Sequence, residues 1–95
     1  MLGGMQDFEL RVTTLLDHAA REHWGREIVT RWADGSETRT TWAGIARDAR
    51  KLAQALERLG VRKGDRVATL AMNHGRHLVT WYGAAGMGGL VHTIN

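Results

Sequence analysis

Apolar positions change their spacing several times along the chain, and each change predicts an element. Leu15, Leu16, Ala19, Ala20 and His23 recur at spacings of one, three and four. This predicts a short amphipathic helix over about 13–24, with Thr14 and Asp17 as an N-terminal cap signal and Gly25 as the stop. From Arg26 the period drops to two: Ile28, Thr30 and Trp32 alternate with Val29 and Arg31. Asp34-Gly35 then supplies a turn able to take positive φ, and the residues after it alternate small with charged. A surface hairpin with strands at about 26–32 and 36–40 follows, with no evident ligand site on it.

The strongest helical pattern comes next. Trp42, Ile45, Ala46, Ala49, Leu52, Ala53, Leu56 and Leu59 fall on one stripe, with Arg47, Asp48, Arg50, Lys51, Glu57 and Arg58 off it. The helix is expected over about 41–59, with Thr41 as N-cap and Gly60 just past the end. Gly44 stands where a capping box would carry Glu or Gln, so Gly44→Glu is expected to stabilise by about 0.5 to 1.5 kcal/mol.

Gly64-Asp65 makes a tight connection into Arg66–Met72, a mostly apolar run expected to be a strand buried on both faces. Asn73 is the expected cap of a helix over about 74–87, whose inward stripe would be Leu78, Trp81, Tyr82 and Ala85. A last strand at about 89–94 closes a right-handed β-α-β unit. The fold class is therefore α/β: helix, β-hairpin, amphipathic helix, then the crossover unit. Residues 1–9 read as a flexible lead-in.

Composition narrows the function classes. The 95 residues are 43% hydrophobic and 24% charged, enough for one small domain. A net charge of +3 is too small an excess for a nucleic-acid reader. There is no cysteine, which removes disulfide and thiol chemistry and makes the cytoplasm the expected location. No run approaches the roughly 18 apolar residues of a membrane span, and Met1–Leu10 lacks the features of a secretory signal. Two parallel strands alone would leave apolar surface and open edges exposed.

Four groups of residues are candidates for chemistry. Gly83, Gly86, Gly88 and Gly89 resemble a phosphate loop in composition, but a dinucleotide fingerprint sits between strand and helix, and these glycines end a helix. They read as a helix stop with close backbone packing. His74, His77 and His92 could be metal ligands, yet no Asp or Glu follows Asp65, so they read as capping or packing groups. Between Arg47 and Arg66 seven basic residues (Arg47, Arg50, Lys51, Arg58, Arg62, Lys63, Arg66) face three acidic ones (Asp48, Glu57, Asp65), which reads as a solvated helix face. Trp32, Trp42 and Trp81 are expected in the core.

A family resemblance rests on particular residues. Thr40-Thr41-Trp42-Ala43, Leu59-Gly60-Val61, Gly64-Asp65-Arg66-Val67-Ala68-Thr69-Leu70, Asn73-His74 with Arg76-His77-Leu78, and Gly86-Met87-Gly88 leading to His92-Thr93 and Asn95 span nearly the whole chain. Together they resemble the N-terminal part of the adenylate-forming acyl-CoA synthetases, most closely the medium- and long-chain fatty acid CoA ligases. Gly44, Gly83 and Ala85 depart from that pattern, where an acidic residue, an alanine and a proline would be expected.

The resemblance implies an enzyme that activates a fatty acid with ATP and Mg²⁺ to an acyl-adenylate and then transfers it to CoA. It also implies that the phosphate loop and catalytic lysine lie in a later part of such an enzyme. No catalytic, cofactor-binding or metal-binding residue is therefore assigned in this chain. Residues 10–95 would be an incomplete N-terminal part of the AMP-binding domain, inactive alone. The alternative is a non-catalytic interaction or dimerisation module of the same fold.

Overall fold

The computed structural model describes residues 3–94. Its best-defined local signal is the Asp34-Gly35 turn. Gly35 takes φ +86°, a conformation that costs glycine little. Asp34 Oδ1 accepts from both the backbone N–H (2.9 Å) and the hydroxyl (2.6 Å) of Ser36. The turn joins β1 (Glu27–Arg31) to β2 (Glu37–Thr41), antiparallel in the register Glu27 opposite Thr41 and Arg31 opposite Glu37. β1 is shorter than expected by one residue at each end, whereas β2 keeps its expected length but lies one residue further along the chain.

That shift matters, because Thr41 ends β2 and also caps the next helix, α2 (Trp42–Arg58). Its hydroxyl accepts from Gly44 N–H at 3.1 Å. The N–H groups of Trp42 and Ala43 are taken by the carbonyls of Arg26 (3.2 Å) and Trp24 (3.1 Å). Three of the four N–H groups a helix start leaves free are thus satisfied from the hairpin side. At the other end Gly60, at φ +94°, donates to Glu57 O, and Val61 N–H reaches Leu56 O, the paired bonds of a Schellman stop.

Gly44 is buried, and a Cβ placed on it would lie 2.5 Å from Thr40 Oγ1. The stabilisation expected from Gly44→Glu is therefore corrected: Thr40, stiff at χ1, would have to move first.

The first helix, α1 (Val12–Glu22), begins before the expected cap. Arg11 is its N-cap and makes no side-chain cap bond. Thr14 lies inside the first turn, and the helix stops at His23 rather than Gly25. Leu16 is buried while Leu15 is exposed, because α1 packs against α2 and α3 with one side only.

Leu16, Ile45, Ala46 and Ala49 form the buried cluster, joined by Ala20, Ile28, Trp42, Leu78, Val79 and Tyr82. The α2 stripe is therefore correct through Leu56, but Leu59, beyond the last turn, is exposed. The third helix, α3 (Gly75–Gly86), packs against α2 through Gly83, where an added Cβ would stand 2.9 Å from Ala49 O and 3.2 Å from Leu52 Cδ2. Only hydrogen fits at that contact.

Strand β3 (Arg66–Thr69) and strand β4 (Leu90–Thr93) pair in parallel, Arg66 opposite Leu90 and Thr69 opposite Thr93. The expected run to Met72 ends three residues early, and the expectation of burial on both faces is not met. Val67, Thr69 and Val91 turn toward α3, whereas Arg66, Ala68, Leu90 and His92 are exposed. One crossover helix covers one face of a sheet, and the other face stays open. The last residue, Asn95, and the first two lie outside the described residues; residues 3–9 of the expected lead-in form no helix or strand.

Candidate functional site

The start of α3 is where the two sheets meet, and polar side chains concentrate there. Alternation along β1 turns Ile28 and Thr30 inward, and Thr30 is buried. Its hydroxyl accepts from Gly75 N–H at 2.9 Å, so a hairpin side chain caps a helix 45 residues later. His74, not Asn73, is the N-cap residue: its Nδ1 accepts from His77 N–H at 3.0 Å. The imidazole has the same geometric reach as an asparagine side chain and sits one position later, where the backbone is extended (φ −152°). His77 Nε2 in turn lies 2.9 Å from Thr69 Oγ1, tying the first turn of α3 to the end of β3.

Around this junction lies a cleft of about 490 Å³, lined by Thr30, Arg31, His74, His77, Leu78 and Trp81 among others. Trp32 stacks at 5.0 Å on His74 on its hairpin side. The hairpin, expected to carry no ligand site, thus supplies one wall. Trp81, expected in the core, lies on the rim and is 37% exposed, with its ring edge-on to Tyr82 at 5.2 Å. The reason is that α3 is wedged between α2 and the sheet: Gly83 and Ala84 are buried there, and Trp81 is left at the margin.

The two histidines of the cleft are engaged in the scaffold. His74 and His77 each hold a hydrogen-bond partner at a ring nitrogen. Among the described residues no side-chain N or O is buried without a partner, and no cluster of three His, Asp or Glu converges. His92 lies on the opposite face of the sheet from Thr69 and His77, so the three histidines do not meet. The arrangement clamps α3 to the hairpin and to β3.

The glycine segment has a similar explanation. Met87 N–H donates to Gly83 O, Gly88 N–H to Ala85 O and Gly89 N–H to Ala84 O. Gly88 is at φ +92°, and a Cβ on Gly89 would meet Ala84 O at 2.9 Å. This is a second Schellman stop. Its amides are committed to the helix end, so they form no cradle for a phosphate, and no step involving ATP or Mg²⁺ can be built on them. The seven basic residues between Arg47 and Arg66 are all exposed; Arg47 pairs with Asp48 at 3.0 Å and Arg50 with Asp17 at 3.4 Å.

Thr30 and Thr69 were not singled out from the sequence. Their signal was present: each is a polar residue in an inward register position, beside Ile28 and Val67, where a buried hydroxyl requires a partner.

Comparison with known proteins gives this scaffold its place. The chain is 48% identical over all 95 residues to a 3-methylmercaptopropionyl-CoA ligase of Ruegeria lacuscaerulensis, covering 18% of it. It is 44% identical over 95 residues to a medium-chain-fatty-acid–CoA ligase of Ectopseudomonas oleovorans, covering 17% of that protein. The chain thus spans less than a fifth of the length of these relatives. The inhibitor-bound N-terminal domain of FACL13 from Mycobacterium tuberculosis superimposes with a TM-score of 0.80 at 29% identity, over 92% of this chain and 21% of that one. Residues 16–95 match the family described as AMP-binding enzyme. The resemblance drawn from Thr40-Thr41-Trp42-Ala43 through His92-Thr93 therefore holds, and the chain belongs to the AMP-binding enzyme family.

Proposed function

We propose that this chain is the N-terminal portion of a fatty acid CoA ligase. The carrying observation is 44–48% identity over its whole length to acyl-CoA ligases that are five to six times longer. Such an enzyme would join a fatty acid to CoA through an acyl-adenylate, with ATP and Mg²⁺ bound by residues outside this chain. Residues 10–95 would supply the first helical layer and the first parallel crossover of its AMP-binding domain. The working location would be the cytoplasm.

The chain's own part is architectural. Thr30, His74, His77 and Thr69 hold one end of α3, and Gly83 and the Gly88-Gly89 stop hold the other. On this reading the phosphate loop and the catalytic lysine belong to other parts of the enzyme, so the 95-residue chain would be inactive by itself. Incubated with ATP, Mg²⁺, CoA and a medium-chain fatty acid, it should release no AMP above the enzyme-free rate. Sustained AMP release would refute the reading.

A second reading, a non-catalytic interaction or dimerisation module, is favoured by the exposed apolar residues of the parallel sheet.

A further inference from the structure

The hairpin has two outer edges, and its register says which backbone groups lie on each. In an antiparallel pair, opposed residues alternate between exchanging hydrogen bonds and not. Trp32 N–H donates to Ser36 O at 2.8 Å and Trp42 N–H to Arg26 O at 3.2 Å. In step with these, Ile28 and Thr30 are the residues of β1 bonded to β2. The N–H and C=O groups of Glu27, Val29 and Arg31 therefore point away from β2, and among the described residues they have no hydrogen-bond partner. Beyond this edge lies the cleft at the start of α3, which Val29 and Arg31 border.

The side chains on that edge form a self-complementary row. Alternation puts Glu27, Val29 and Arg31 on one face of β1, the exposed one. A second copy, turned about a two-fold axis through Val29 and laid antiparallel along the edge, sets Val29 opposite Val29 and Glu27 opposite Arg31, twice. Every opposed pair is then a bonded pair, and the free N–H groups of both copies all reach carbonyls, about six bonds in all. Opposite charges directly across two strands attract, and like charges repel. Arg39 already bridges Glu27 (2.7 Å) and Glu37 (3.2 Å), whereas Arg31 makes no ion pair with a described residue. Bringing Arg31 of one copy to Glu27 of the other extends that row with the signs still alternating.

The other edge does not have this property. The outward groups of β2 belong to Glu37, Arg39 and Thr41, and the same operation places Arg39 opposite Arg39. A slip of β1 along itself is also disfavoured, because moving the register by one bonded pair sets Val29 opposite Arg31 and loses both ion pairs.

We infer that the outer edge of β1 is a self-docking surface, through which two copies of this chain join their hairpins into one continuous antiparallel sheet. Val29 lies on the two-fold axis, and Glu27 of each copy pairs with Arg31 of the other. So short an edge buries less than the roughly 800 Å² per partner of a standard interface, so the dimer is of the transient class and forms at high concentration. The inference does not rest on the ligase reading. It develops the second reading, dimerisation, on a surface of the hairpin.

The test is sedimentation velocity on the 95-residue chain, from about 10 µM to about 1 mM. The boundary should move from monomer toward dimer as the concentration rises. Over the same range the amides of Val29 and Arg31 should gain protection from exchange by at least about tenfold, and that of Thr30, already bonded to β2, should gain less. Glu27→Arg and Arg31→Glu, both at exposed positions, should keep the circular dichroism of the wild type. Each alone should weaken self-association by at least about tenfold, because each sets like charges opposite one another at both ends of the edge. Mixed in equal amounts, the two variants should associate as well as the wild type does, since every opposed pair is again of opposite sign.

A chain that stays monomeric throughout, a dimer indifferent to both reversals, or a mixture of folded variants that does not associate would overturn the inference. Protection of the Val29 and Arg31 amides at every concentration would also overturn it, because another segment of the same chain would then occupy the edge. The amide measurement on the wild type needs no variant and decides the matter where one of them does not fold. AMP release bears on the ligase reading alone, and sedimentation on this inference alone, so the failure of either is told apart from the failure of the other.

Discussion

Among the described residues the strands form two sheets, each two strands wide, and they are stabilised in opposite ways. The hairpin β1–β2 carries its own determinants. Its turn is held by Asp34 and Gly35, Trp32 Nε1 donates to Thr38 Oγ1 at 3.1 Å, and Arg39 bridges Glu27 (2.7 Å) and Glu37 (3.2 Å) across and along the strands. All of these lie within fifteen residues of one another. The β3–β4 pair has no turn and no cross-strand ion pair; it exists because α3 connects the strands and is itself pinned at both ends. A local sheet can be read and tested by itself, whereas a crossover sheet inherits its stability from the helix layer beneath it.

The largest expected effect tests that dependence. Gly83→Ala puts a methyl group 2.9 Å from Ala49 O at the α2–α3 contact. Overpacking of this kind costs about 1–3 kcal/mol, more than the roughly 1 kcal/mol that alanine gains over glycine in a helix. A melting temperature about 5 °C lower is expected for a domain of this size. Hydrogen exchange should show α3, β3 and β4 losing protection before the hairpin does. A higher melting temperature would show that propensity, not the close contact, governs this position.

A smaller effect probes the link between the sheets. Thr30→Val keeps the shape of the side chain and removes the acceptor for Gly75 N–H, leaving a helix-start donor without its partner. About 1 kcal/mol should be lost, and Thr30→Ser should restore most of it. The Gly75 amide should exchange faster in the valine variant while the hairpin register stays as it is. An unchanged Gly75 rate would mean that the two sheets are joined by packing alone.

These two residues also mark what could be read from the chain in advance. Element type and order were legible because each rests on local periodicity or turn chemistry: the Asp34-Gly35 turn, the Thr41 cap and the Gly60 stop all stand where the pattern placed them. The membership signal was equally legible, since the Gly64–Leu70 and Asn73–Leu78 segments carry it residue by residue. What escaped were contacts between distant segments. Gly44 and Gly83 look like helix weaknesses until Thr40 and Ala49 are seen against them. Thr30 reads as an ordinary strand residue until Gly75 is placed beside it. Leu70 and Met72 prolong an apolar run in sequence, yet the strand ends at Thr69, with no covering layer on the open face among the described residues.

The smallest expected effect lies in the hairpin turn and depends on pH. The hydroxyl of Ser36, and next its backbone N–H, donate to the Asp34 carboxylate and hold its pKa below the ordinary aspartate value. A carboxylate depressed in the folded state contributes stability above its unfolded pKa, about 3.9. That contribution fades as the pH falls through the lower, folded value. The turn is exposed to solvent, so the change should be confined to the hairpin. Amide protection of Ser36 and Trp32, corrected for intrinsic exchange, should fall relative to that of Ala46 on going from pH 6 into the acid range below about 3.9. Asp34→Asn should flatten this dependence, because the amide oxygen still accepts from Ser36 but no longer titrates. If wild type and Asp34→Asn titrate alike, the self-sufficiency of the hairpin rests on Gly35 and the cross-strand pairs, and the Asp34 bonds add nothing to it.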